Sequence, residues 1–144
     1  MSAPLRMRSS SVSSGRAPIA ESRKADLYLP TGNISNTRIH DLAASAVKDG
    51  RPLVTLYFSD CDPSGWNMPI EVARKLQALR LVRYPTLEFQ CHRVGLTPNQ
   101  VKAFKAAGDP LPESPVKESD KRAKEWEKKM GVGQIEIDSI ATLR

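Results

Sequence analysis

Two carboxylates stand two residues apart directly after a short apolar run. The run is Leu53–Phe58, LVTLYF, and the carboxylates are Asp60 and Asp62. Side chains two residues apart on an extended backbone point to the same side, so both can reach one ion. Carboxylate oxygens are the ligands that a hard cation such as Mg²⁺ prefers. The spacing therefore indicates a divalent-cation site at the end of a strand, where we expect any chemistry of the chain.

The elements that position these carboxylates alternate between strand and helix. Hydrophobic periodicity and turn residues predict strands over residues 25–29, 53–58, 87–94 and 134–137, and helices over about 36–49, 66–81, 98–108 and 118–130. This alternation predicts an α/β fold, a Rossmann-like and mostly parallel sheet flanked by helices. Because the run 53–58 is nearly all apolar, we expect a central strand that is covered on both faces.

The length and composition of the chain limit the classes of protein to which it can belong. The chain has 144 residues and a net charge of +6, which fits one domain and favours a polyanionic partner such as DNA. No run approaches the ~18 apolar residues of a membrane span, so we expect no membrane association. Cys61 and Cys91 match no ligand spacing, so we expect reduced thiols in a cytoplasmic protein. Residues 1–24, rich in Ser and Arg, predict a disordered tail before a domain over residues 25–144.

The acid pair has three further interpretations. An EF-hand calcium loop would place Asp60, Asp62, Ser64, Gly65 and Glu71 at loop positions 1, 3, 5, 6 and 12, but the preceding run is β-type. An aspartyl-phosphate enzyme would use Asp60 as nucleophile and Asp62 as general acid, but no later acid pair ends an apolar strand. A turn that only ends the strand and caps the next helix also suits both aspartates.

An ordered set of phrases gives the chain a family resemblance. The phrases are YFSDCDPSG, FQCHRVGLTPNQV, PVKESDKRAKEW and QIEIDSI. They resemble the Toprim domain of topoisomerases and primases, most closely the Toprim-like part of phage and bacterial proteins related to the topoisomerase VI A subunit. The resemblance covers about residues 25–143. It implies that Asp60 and Asp62 hold Mg²⁺, that DNA is the partner, and that relatives carry out topoisomerase- or nuclease-type phosphodiester chemistry.

The chain departs from the family pattern at the catalytic groups. The family's glutamate ends a strand that precedes residues 25–29, where this chain offers only Glu21 with no apolar strand before it. The DNA-cleaving tyrosine of the topoisomerase VI type lies in a separate upstream domain. We interpret Tyr28, Tyr57 and Tyr84 as packing residues. We therefore expect a domain truncated at its N-terminus and not catalytic alone.

Other residues are candidates for the same site. Glu136 and Asp138, again spaced by one residue, are possible additional acids. Candidate phosphate or nucleic-acid contacts lie near the predicted helix starts and on basic helix faces: Ser64, Gly65, Arg74, Lys75, Lys121 and Arg122. The competing function is a non-enzymatic subunit that binds a protein partner or a second copy through an open sheet edge, or a remnant of a larger protein.

Overall fold

The computed structural model describes residues 17–28 and 32–142, and the chain divides into two compact units, residues 1–34 and 35–144. The first unit contains helix α1, Ala17–Ser22, inside the segment predicted as a tail. Residues 25–28 form no strand, so the predicted strand over 25–29 is wrong for these four residues, and Leu29 lies outside the described ones. The physical reason is that the Ala25 N–H donates back to the Ala20 carbonyl at 2.9 Å, which closes the end of α1.

The second unit confirms an α/β protein. Its elements are α2 Asn36–Asp49, β1 Leu53–Phe58, α3 Pro63–Val82, β2 Phe89–Gly95, α4 Pro98–Ala106, α5 Ala123–Met130 and a 3-10 helix Ile137–Thr142. Strands β1 and β2 pair in parallel, with Leu53 beside Phe89 and Tyr57 beside Arg93. Helix α3 forms the crossover between these two strands, as parallel neighbours require.

Local sequence signals set most of the helix ends. The Ser35 hydroxyl accepts from the Arg38 N–H at 3.2 Å, and α2 ends at Gly50, whose φ of 64° suits glycine. Thr97 and Gln100 form a capping box, because each side chain bonds the backbone N–H of the other residue.

Two C-terminal predictions are wrong in part. Helix α5 begins at Ala123 rather than near residue 118, because the Asp120 N–H bonds the Lys117 carbonyl and the chain turns there. The strand predicted over 134–137 is absent. Gln134 and Ile135 each make one antiparallel bridge, to Ser114 and to Cys61, so two different segments pair with adjacent residues and no ladder can extend.

The buried core joins the C-terminal third to the end of β1. One cluster of buried residues contains Cys61, Leu96, Val101, Leu111, Val116, Trp126, Val132 and Ile135. A second group of buried residues, from α2, α3 and the turn before β2, contains Ile39, Ala43, Val72, Leu76 and Leu87. Burial of these apolar side chains is the main favourable term that holds the loop after β1 in place.

Strand β1 is not covered on both faces by the described residues, contrary to the expectation. Its residues alternate between half-buried and exposed, and Val54, Leu56 and Phe58 are 52%, 60% and 58% exposed. Side chains alternate between the two faces of a strand, so one face of β1 lies toward the helices and the other is open.

Candidate functional site

The acid pair lies where the chain leaves β1 and enters α3. Asp60 follows the strand by two residues, and Asp62 immediately precedes the helix. Both are half-buried, so water and ions reach them. In open α/β sheets this carboxyl end of a parallel strand is the usual place for a ligand.

Asp62 is the N-cap of α3. Its Oδ1 accepts a hydrogen bond from the Gly65 N–H at 2.6 Å, and Pro63 occupies the first turn, where no N–H is needed. The cap starts the helix three residues earlier than predicted. The interpretation of Asp62 as a helix cap is therefore confirmed, and Asp62 Oδ2 has no hydrogen-bond partner among the described residues.

Asp60 makes a long-range hydrogen bond. Its Oδ1 accepts from the Ile137 N–H at 2.9 Å, which ties the start of the 3-10 helix to the end of β1. The described part of the chain offers no hydrogen bond to Asp60 Oδ2. Each carboxylate thus uses one oxygen to hold the backbone, and the described residues leave its other oxygen without a hydrogen bond.

The residues around the acid pair have specific roles in the turn from β1 into α3. A Cβ on Gly65 would overlap the Asp60 carbonyl oxygen, so only glycine allows this close approach. Pro69 lies inside α3 and cannot donate to the Gly65 carbonyl four residues earlier. The Ser59 hydroxyl donates to that carbonyl at 2.9 Å and replaces the lost bond.

This geometry rejects the EF-hand interpretation. Residues 63–82 form a continuous helix, so Ser64, Gly65 and Glu71 belong to α3 and not to a calcium-binding loop.

Cys61, between the two acids, is a packing residue. It is buried, and its backbone pairs with Ile135 through hydrogen bonds of 2.9 and 3.1 Å. Burial, followed by the charges of Asp62 and Glu113, raises the pKa of the Cys61 thiol to about 11. At neutral pH the group is therefore a thiol, which is neither a good nucleophile nor a good metal ligand.

A stacked group of side chains supports the first turn of α3. The Arg93 guanidinium lies 3.5 Å from the centre of the Trp66 ring and donates to the Trp66 carbonyl. Trp66 meets Trp126 edge-on at 6.0 Å, and Trp126 Nε1 donates to the Gly133 carbonyl at 3.1 Å. The role of Arg93 does not follow from the sequence, since no local pattern links it to Trp66.

An open groove of about 740 Å³ adjoins the acid pair. One wall is the start of α3 and the other is the turn before α5. The lining residues are Asp62, Pro63, Ser64, Val116, Lys117, Ser119, Asp120, Lys121, Arg122 and Gln134. Of the predicted contact residues, Ser64, Lys121 and Arg122 line the groove. Gly65 does not, because it is buried and its N–H bonds Asp62. Arg74 and Lys75 lie farther along α3 and do not line the groove either.

The charges of the groove are partly paired. Asp120 and Arg122 form a bidentate ion pair at 2.9 Å, and the hydrogen bonds from Arg122 lower the pKa of Asp120. Arg122 also donates to the Pro63 carbonyl at 3.4 Å, so it bridges the two walls. Lys117 and Lys121 are exposed and have no ion-pair partner among the described residues. These two lysines are the cations that remain for an anionic ligand.

The possible additional acids flank the site without completing a cage. Glu136 and Asp138 are exposed on either side of Ile137, whose backbone bonds Asp60. Across residues 17–28 and 32–142, no group of three or more His, Cys, Asp or Glu side chains is placed to hold a metal ion.

Comparison with family models, curated proteins and solved structures finds no match to this chain. None of the described helices is both long and apolar enough to cross a bilayer.

Replacement of Gly65 by alanine tests the contact that shapes the site. In an ordinary helix, alanine is about 1 kcal/mol more favourable than glycine. Here we expect the opposite sign, a loss of about 1–3 kcal/mol in the free energy of unfolding, because the new Cβ overlaps the Asp60 carbonyl. Urea denaturation measures the difference. Ser64→Ala, on the exposed neighbour, is the control and should change stability by less than about 0.5 kcal/mol; a neutral or stabilising Gly65→Ala would refute the contact.

Proposed function

We propose that this chain is a Toprim-like, Mg²⁺-binding module of DNA metabolism that holds a nucleic-acid phosphate and is not catalytic alone. The observation that carries the proposal is the position of Asp62, which belongs both to the acid pair and to the lining of the lysine-bearing groove. A metal and a phosphate bound there would lie side by side.

The donor set fits magnesium in one particular mode. Mg²⁺ usually keeps several waters and binds through one or two carboxylates together with a substrate phosphate, rather than in an all-protein cage. Asp60 and Asp62 each keep one oxygen, and the described residues add no third acid. When bound, the ion would neutralise phosphate charge and stabilise a leaving oxygen.

The groove residues fit the phosphate. Lys117 and Lys121 supply positive charge, the Ser64 hydroxyl is a donor, and the start of the 20-residue helix α3 favours an anion. The net charge of +6 agrees with a nucleic-acid partner. Asp62 repels a phosphate in the absence of metal. A bound ion would therefore strengthen phosphate binding in the groove, and a bound phosphate would strengthen binding of the ion.

The finer parts of the proposal come from the sequence resemblance. A parallel pair joined by α3, with the acid pair at its carboxyl end, is compatible with a Rossmann-like, Toprim-like sheet. The proposal includes no independent strand cleavage, because the sequence offers only Glu21, with no apolar strand before it, where the family's glutamate is expected. We also propose a cytoplasmic location, which agrees with the reduced thiols expected for Cys61 and Cys91; both cysteines are free.

A magnesium titration followed by NMR tests the metal site. We expect millimolar Mg²⁺ to shift amide resonances of residues 59–66 and of Ile137, whose N–H bonds Asp60, and to leave amides far from the pair unchanged. Asp60→Asn and Asp62→Asn should remove the response while the protein stays folded, since asparagine retains an acceptor oxygen and is as good an N-cap as aspartate.

The matched control is Asp109→Asn, which removes one exposed negative charge away from the pair. It should keep the response. Equal responses in all three variants would show a diffuse charge effect and would refute the site.

The lysines of the groove are tested by DNA binding. We expect the double variant Lys117→Ala/Lys121→Ala to lower the affinity for a short DNA and to reduce the slope of log K against log salt by about 2, one per lost phosphate contact. Fluorescence anisotropy at several salt concentrations measures both quantities.

Lys128→Ala/Lys129→Ala is the control, because it removes the same charge from exposed positions on α5. A loss of slope that is equal in the two double variants would contradict a specific role for the groove.

A further inference from the structure

Within the described part of the chain, one edge of strand β1 pairs with no other strand, and one face of the strand is open. Its sequence, LVTLYF, contains no charge, proline or glycine. Among the described residues it pairs with β2 and with no other strand. Natural sheets usually protect an exposed edge with charges, prolines or bulges, so an edge without them is suited to pair with another strand.

The other edge of the sheet is protected in this way. The pairing of β2 shifts between Tyr57 and Phe58, which leaves an irregularity near its end. Strand β2 also ends at Gly95, and its exposed face carries the polar residues Gln90 and His92. The two edges therefore differ, and β1 is the one open to pairing.

The hydrogen bonds to β2 show which groups of β1 are free. The Leu53 N–H donates to the Glu88 carbonyl at 2.8 Å, and the Ser59 N–H donates to the Gly95 carbonyl at 2.7 Å. Alternate residues of a strand direct their backbone groups to opposite edges, so the odd-numbered residues face β2. The N–H and C=O groups of Val54, Leu56 and Phe58 therefore point to the free edge. The same three residues carry the exposed apolar side chains.

We propose that two copies of this chain pair through β1, antiparallel, about a twofold axis at Leu56. In this register Leu56 lies opposite Leu56 of the second copy, and Val54 lies opposite its Phe58. By the twofold symmetry, Phe58 also lies opposite Val54 of the second copy. All three are hydrogen-bonded pairs, so the N–H and C=O groups of these residues are satisfied in both copies. The apolar side chains then form one continuous row, a small residue facing a large one at each end.

The shape and charge of the β1 edge favour a second copy of this chain as its partner. Backbone N–H and C=O groups in a row require an extended chain, and this edge is uncharged, so its own sequence meets it without like-charge repulsion. Proline at position 52 removes an N–H just before the strand and favours the register centred on Leu56 over one shifted toward the N-terminus. The contact is short, so we expect a weak dimer that dissociates on dilution.

Sedimentation equilibrium over a wide concentration range tests the dimer. We expect the mass to rise with concentration from the 15.9 kDa of one chain toward twice that value. Leu56→Lys should give a monomer, because it places two like charges opposite each other across the axis. Gln90→Lys adds the same charge to an exposed residue of β2 and should leave the dimer unchanged. A wild-type protein that stays monomeric, or equal effects of the two variants, would overturn the proposal.

Cross-linking keeps the test independent of any folding defect. Directly opposed residues have Cβ atoms about 5.5 Å apart, so Leu56→Cys in a Cys91→Ser background should be joined into a dimer by a short bismaleimide. Gln90→Cys in the same background should not be joined, because β2 lies one strand farther from the axis. Equal cross-linking of the two variants, or none at position 56, would contradict the register.

Discussion

The close approach of Gly65 to the Asp60 carbonyl is the constraint on which the candidate site depends. It lets the chain turn from β1 into α3 within a few residues, and it leaves the two carboxylates at the end of the strand. Asp62 then caps the helix that follows, and Ser59 supplies the hydrogen bond that Pro69 cannot make. A larger residue at position 65 would separate the helix from the strand and move both acids.

The C-terminal third holds this turn from the other side. Ile135 pairs with Cys61, and the Ile137 N–H bonds Asp60. Trp126 Nε1 donates to the Gly133 carbonyl just before this segment. These contacts join a local turn to a distant segment, and the groove lies where the two meet. Carboxylates and lysines line the same groove, so in the proposed function a cation and a phosphate together would satisfy charges that either ligand alone would leave unbalanced.

The parts of the structure that follow from local rules were predictable from the sequence. The helix caps at Ser35 and Thr97, the parallel strands and the helix behind the acid pair all follow from periodicity and turn residues. The strand predicted over 134–137 failed because its apolar pattern is used in single bridges to two separate segments. The groove was only partly predictable. Lys121 and Arg122 were identified by charge, but the Asp120–Arg122 pair and the bond from Arg122 to Pro63 depend on tertiary position.

The most direct test of the account is whether magnesium strengthens DNA binding through Asp62. The affinity for a short DNA is measured with and without Mg²⁺ at constant ionic strength, for the wild type, Asp62→Asn and Asp109→Asn. The account predicts that Mg²⁺ tightens binding for the wild type and Asp109→Asn and has no such effect on Asp62→Asn. Mg²⁺ that only competes with the protein for phosphate would weaken binding in all three. That uniform loss would contradict a shared metal and phosphate site.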